Sequence, residues 1–105
     1  MIIIISKRAT ASEIEHKFYI KVVVDIEHHI LAGGGEMHYD CEQDLLENGS
    51  QQQNLWGAGY MPLTGNVTYD SLINIRSRQN RSMEILDVKI RENVTQIVTE
   101  LLGKT

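Results

Sequence analysis

The chain has 105 residues, 42% of them hydrophobic and 23% charged, with a formal charge of −4. That length allows one domain, spanning 1–105, to bury a sizeable core, and the composition excludes general disorder. The negative balance disfavours nucleic acid as a partner, since phosphate neutralisation needs clustered Lys and Arg, and the one cysteine, Cys41, excludes an intramolecular disulfide.

Residues 2–5 are four isoleucines and predict a buried strand. The opening apolar run is too short for an export signal, and no run approaches the ~18 apolar residues of a membrane span. A cytoplasmic protein with no membrane association is therefore expected. Thr10 and Glu13 have capping-box spacing, and Ala11, Ile14 and Phe18 share one helical face, so a short helix is expected over 11–18. Residues 19–27 then alternate, with Ile20, Val22, Val24 and Ile26 on one face of a strand.

A following strand from Ile30 to about Tyr39 is expected to form a hairpin with it, turning at His28-His29. A turn of two or four residues places Lys21 opposite Glu36, Asp25 opposite Ala32 and Ile20 opposite Met37. A three-residue turn would push Glu36 and His38 onto the apolar face, which burial of unpaired charge disfavours. Asp40 is expected to cap a second helix over 41–48, with Gln43 at the capping-box position and Gly49 just past its end. Residues 55–61 read as a strand weakened by Gly57 and Gly59 and ended by Pro62. A turn at Gly65-Asn66 precedes a strand over 67–76, then a polar loop over 77–86. Asp87 can cap a last helix in which Ile90, Val94, Ile97, Val98 and Leu101 recur on one side, ending at Gly103. The order β-α-β-β-α-β-β-α predicts an α+β two-layer sandwich, a mixed, mainly antiparallel sheet with helices on one face.

Several segments together carry a family pattern: Gly34-Gly-Glu-Met-His with Asp40, Leu45-Leu46, Gly49-Ser50, Leu55-Trp56-Gly57, Leu72-Ile-Asn-Ile-Arg76 and Gln79-Asn80-Arg-Ser82. Over nearly its whole length the chain resembles a family of small uncharacterised bacterial proteins, common in cyanobacteria, known as a domain of unknown function. The resemblance implies a bacterial cytosolic origin and brings no activity, substrate or catalytic residue.

Three stretches could carry chemistry. Gly33, Gly34 and Gly35 could cradle an anion, but no phosphate-loop spacing is present and Glu36, Asp40 and Glu42 would repel phosphate; a bulge or close backbone approach is the structural reading. Glu36, His38 and Asp40 alternate, which on a strand would put two carboxylates and an imidazole on one face. Against that, Glu36 is expected to pair with Lys21 and Asp40 to cap a helix, leaving His38 without a structural task. No metal-ligand spacing is completed by His16, His28 or His29, and no cofactor is implied.

The third stretch runs from Asp70 to Ser82, where Arg76, Arg78 and Arg81 are interleaved with Asn74, Gln79 and Asn80. Guanidinium groups suit carboxylates and phosphates; the structural alternative is a network fixing the loop. The leading expectation is a non-catalytic binding module, with an anionic small molecule or a protein as partner, using Asn74, Arg78, Gln79, Asn80 and Arg81, and with a homodimer through a sheet edge as a further possibility. The alternative is a small hydrolase or transferase with His38 as general base, Glu36 or Asp70 orienting it, and Arg76 stabilising negative charge. That enzyme requires His38 and Arg76 to line one pocket.

Overall fold

The computed structural model describes residues 2–7 and 18–103. Its strands are β1 (Ile3–Ile5), β2 (Ile20–Asp25), β3 (Ile30–Gly33), β4 (Leu55–Met61) and β5 (Asn66–Thr68). Helix α1 (His38–Glu47) follows β3 and helix α2 (Val88–Leu102) ends the described chain. Short 3-10 turns occupy Gln52–Asn54 and Leu72–Asn74. The expected helix at 11–18 lies, apart from Phe18, outside the described residues.

The five strands form one antiparallel sheet in the order β1-β3-β2-β4-β5. β2 is central because its residues can face apolar surroundings on both sides: Val22, Val23 and Val24 are all fully buried. Successive side chains point to opposite faces of a strand, so these valines feed two separate cores. Val22, Val24, Leu31, Trp56, Ala58 and Tyr60 meet Val94, Ile97, Val98 and Leu101 of α2. Val23, Ala32 and Leu55 meet Cys41 and Leu45 of α1. The α+β class and the order of the described elements are as expected, and the sheet is antiparallel throughout rather than mixed. The layering differs, because the helices cover opposite faces rather than one. The all-apolar triplet of β2 is the physical reason: a strand with a solvated face would alternate with polar residues.

The β2–β3 hairpin keeps the even parity but is displaced by two residues. Asp25 stands opposite Ile30, Val23 opposite Ala32 and Val22 opposite Gly33. The turn therefore comprises Ile26, Glu27, His28 and His29, with His29 in the left-handed region at φ 59°. Asp25 explains the shift. Its Oδ1 accepts from the amides of Glu27 and His28, both at 3.0 Å, and its Oδ2 accepts from Ser50 Oγ at 2.6 Å and lies 2.8 Å from His28 Nδ1. An aspartate at this position bonding its own downstream amides is an Asx turn, and it sets the reversal earlier than the His-His pair.

β3 stops at Gly33, not near Tyr39, because Gly34 takes φ 96° and breaks the extended conformation. The chain then enters α1 at His38. Met37 is the N-cap residue and offers no side-chain bond, while Asp40 sits inside the first turn. Asp40 is thus not the cap; it instead places a negative charge in the first turn, at the positive end of the helix dipole. Gly49, at φ 102°, terminates α1 as expected. In the second half, β5 covers only Val67 and Thr68 of the expected 67–76 strand before the chain folds into the 3-10 turn at Leu72–Asn74. Asp87 caps α2 as expected, its Oδ1 accepting from Lys89 N at 2.8 Å and Ile90 N at 3.4 Å.

Candidate functional site

The end of β3 at Gly33 dissolves the apparent acid–His–acid face. Glu36 lies in the loop, whereas His38 and Asp40 are one and three residues into α1. Lys21 does reach Glu36, but Nζ donates to the Glu36 main-chain carbonyl at 2.8 Å rather than to a carboxylate. His38 turns inward over β4, its Nε2 2.7 Å from the Ala58 carbonyl. A carbonyl can only accept, so the proton sits on Nε2. Burial lowers the His38 pKa below the usual imidazole value; the Ala58 bond opposes this and Lys21 reinforces it. The bond orients the ring, and burial disfavours its protonated form.

Gly57 explains how His38 comes so close. A Cβ built there would stand 2.4 Å from Ser71 Cβ and 3.2 Å from His38 Cδ2. The absence of a side chain lets the 71–74 turn and the first turn of α1 close over the same point of the sheet.

The turn and loop that follow β5 supply the densest set of polar side-chain contacts. Asn74 is fully buried. Its Oδ1 accepts from Gly57 N at 2.7 Å, and its Nδ2 is within bonding distance of the carbonyls of Gly57, Tyr69 and Met83 at 3.0, 3.1 and 3.0 Å. A side-chain amide has the same donor and acceptor as a peptide group, so Asn74 takes the place of a neighbouring strand just where β5 has ended. Arg76 continues the substitution. Its guanidinium donates to the carbonyls of Leu55, Gln52 and Gln53 and stacks on the Trp56 ring, 3.7 Å from its centroid. Along the outer edge of β4, Gly59 is therefore paired by β5, Gly57 by an amide and Leu55 by a guanidinium. Burial lowers the Arg76 pKa, and the Glu42 carboxylate works in the opposite direction.

Asn80 repeats the device one turn later. It is 2% exposed; Nδ2 reaches the carbonyls of Asn74, Ser82 and Glu84 at 3.0, 2.8 and 2.8 Å, and Oδ1 accepts from Leu86 N at 2.9 Å. The main chains of Arg76 and Asn80 bond each other in both directions, which closes the 77–79 turn. Arg78 and Gln79 are exposed at its tip. Arg81 is exposed too, with Nε donating to Ser77 O at 3.0 Å. Asp70 is exposed at the base of the loop, bridged to Glu84 through the main chain.

The structure thus divides the candidate residues into two groups. Asn74, Arg76 and Asn80 direct their polar groups to main-chain carbonyls and amides; Arg78, Gln79 and Arg81 face outward from the loop those residues hold. His38 and Arg76 are both moored to β4, at Ala58 and Leu55, three residues or about 10 Å apart along the strand. Glu36 and Asp70 are exposed, and among the described residues the hydrogen bond of the His38 ring goes to Ala58 rather than to either carboxylate.

Sequence reasoning passed over the apolar part of the same loop. Leu72 is 70% exposed, Ile75 48% and Met83 45%. Alternation along the expected 67–76 strand would put Ile73 and Ile75 on one face; instead Ile73 packs against the α1-side core and Ile75, just after the 3-10 turn, is exposed. The sequence signal available was the Ser71-x-x-Asn74 arrangement, in which Ser71 Oγ accepts from Ile73 N and initiates a turn.

Among the described residues, no three His, Cys, Asp or Glu side chains are placed to hold a metal ion. No helix among them is long and apolar enough to cross a membrane. Cys41 is buried against the Gly35 segment, and burial raises its thiol pKa. No curated protein matches the chain, and no solved structure does. One family model matches it over residues 3–101, nearly its whole length: the chain belongs to the family described as protein of unknown function DUF5674.

Proposed function

We propose that the protein is a non-catalytic binding module that engages a protein partner through the loop over residues 71–86. The observation that supports this reading is the contrast between the loop's inside and outside. Inside, Asn74 and Asn80 spend their amides on the main chain; outside, Leu72, Ile75 and Met83 are open, with Arg78, Gln79 and Arg81 beside them. Ordering an apolar loop in advance lowers the entropic cost of binding, and functional residues are commonly presented on loops held by a rigid scaffold. Exposed apolar residues grouped in one loop fit a protein surface better than a free anion does.

The hydrolase or transferase alternative gains no support from the geometry. The His38 Nε2 proton is given to Ala58, and the Arg76 guanidinium to three carbonyls. An anionic small molecule bound by Arg78 and Arg81 is the second form of the binding reading. A cytoplasmic bacterial setting accords with one buried cysteine, and a homodimer through the short β1 edge (Ile3–Ile5) remains part of the same proposal.

The test is quantitative affinity capture from a cell extract, with wild type and Leu72→Glu/Met83→Glu as baits of matched thermal stability. A protein retained by wild type and lost by the variant is the expected result. Equal retention by both baits would remove the loop from the interaction. A thermal midpoint raised by a phosphorylated metabolite, in wild type but not in Arg78→Ala/Arg81→Ala, would transfer the reading to the small-molecule form.

A further inference from the structure

The loop differs in charge from the molecule that carries it. Residues 71–83 contain Arg76, Arg78 and Arg81 and no acidic residue, in a chain whose formal charge is −4. Arg76 is occupied by main-chain carbonyls. Arg78 and Arg81 are exposed, and Asp70 and Glu84, the nearest acids in sequence, lie at the base of the loop rather than its tip. The cations share the loop with Leu72, Ile75 and Met83, which are open to solvent.

From this arrangement we infer that the partner segment is an acidic, amphipathic polypeptide, whose apolar side chains cover Leu72, Ile75 and Met83 while its carboxylates meet Arg78 and Arg81. The inference rests on the loop being a protein-binding surface and adds the chemistry of what binds. Arginine is suited to carboxylates because its planar fork matches two oxygens at once. The predominantly acidic remainder of the surface would repel an acidic segment that docked elsewhere, so the basic loop also selects position. Nucleic acid could satisfy the cations but would leave three aliphatic side chains without an apolar counterpart, since the loop residues 71–83 include no aromatic side chain on which a base could stack.

The experiment titrates the full-length, 15N-labelled protein with four probes at equal ionic strength. These are a twelve-residue peptide of Leu, Asp and Glu, its Asn and Gln isostere, its Lys counterpart, and single-stranded oligo(dT). The expected result is amide shift changes confined to residues 71–84, with the acidic peptide bound on the order of tenfold more tightly than the neutral one. That preference should shrink as salt rises. Arg78→Glu/Arg81→Glu, two exposed positions, should invert it in favour of the Lys peptide.

Equal binding of the acidic and neutral peptides, unaffected by the charge reversal, would overturn the acidic preference. The loop reading would survive that outcome if Leu72→Glu/Met83→Glu still abolished the shifts. Tighter binding of the Lys peptide or of oligo(dT) to wild type would also overturn the proposal. No shift in the loop with any probe would overturn both the partner chemistry and the loop's role.

Discussion

Two turns in this protein are each fixed by buried polar side chains, and they differ in the chemistry used. At the β2–β3 turn the side chain is a carboxylate: Asp25 is fully buried and gathers two amides, a hydroxyl and an imidazole. At the 71–86 loop the side chains are neutral amides, Asn74 and Asn80, which pair with main-chain groups of both polarities. Both arrangements satisfy buried polar groups that would otherwise cost stability. Only the first can titrate. The molecule therefore has one pH-sensitive turn and one whose internal fixing is insensitive to pH, and the second presents the proposed binding residues.

The largest expected effect tests the amide. Asn74→Ala leaves the buried Gly57 amide and carbonyl without the side chain that pairs them, while the Tyr69 and Met83 carbonyls keep Ile85 N and Ser71 N, and should cost roughly 4 kcal/mol of unfolding free energy, read from the urea midpoint at unchanged slope. That loss should be nearly the same at pH 4.5 and pH 7.5. A cost below about 1 kcal/mol, the net worth of an ordinary single hydrogen bond, would mean that the edge of β4 does not depend on this side chain.

Asp25→Ala should come next, at about 3 kcal/mol near neutral pH, because it orphans several donors at once. Burial pushes this carboxyl upward, but the bonds from Ser50, His28 and Glu27 outweigh it, and its folded pKa lies below the ordinary 3.8. A depressed folded pKa gives stability that is present above the unfolded value and is lost as pH falls through the folded one. The difference between wild type and Asp25→Ala should accordingly narrow in acid. A pH-independent difference would show that the bonds, and not the charge, carry the effect.

His28 and His38 should titrate on opposite sides of the ordinary 6.5. His28 is raised, first by its hydrogen bond to Asp25 and then by that carboxylate's charge; any stability it contributes is complete below 6.5 and lost as pH rises through its folded pKa. His38 is lowered by burial, so its contribution holds above 6.5 and is lost as pH falls. Imidazole NMR titrations read both values, and Asp25→Asn should bring His28 down while leaving His38 in place. Coincident titrations would contradict both environments.

Smaller effects probe how closely the loop sits on the sheet and how the helices begin. Gly57→Ala forces a methyl into Ser71 and should cost about 2 kcal/mol, recovered in part by Ser71→Gly in a double-mutant cycle. Asp87→Ala removes a bonded cap of α2, worth about 1 kcal/mol. Asp40→Ala removes only a favourable charge in the first turn of α1, worth about 0.3 kcal/mol. Equal losses at Asp40 and Asp87 would mean that Asp40 is a cap after all.

Much of the fold could be read locally. The β-branched runs of β1 and β2, the breaks at Gly49, Pro62 and Gly65, and the Asp87 cap of α2 each depend on residues within one turn of one another, and local backbone sterics and capping act at that range. Local reading failed where a distant group decided. Asn74 reaches Gly57, seventeen residues away, to end what periodicity extends as a strand; the early hairpin turn is the exception, since Asp25 sets it through its own downstream amides and only reinforces it through Ser50. Glu36, His38 and Asp40 alternated on paper, but a single positive φ at Gly34 separated them.

By itself, then, the sequence determined the α+β class, the order of the described elements and most of their ends, because propensity, periodicity and capping are properties of neighbouring residues. Tertiary structure decided which helix covers which face, and it decided which polar side chains were consumed. A buried amide or guanidinium must find partners wherever the chain happens to pass, and no spacing in the sequence records that meeting. This is why Asn74, Arg76 and Asn80 resemble Arg78 and Arg81 as residues of one polar stretch, yet only the last two are left facing outward.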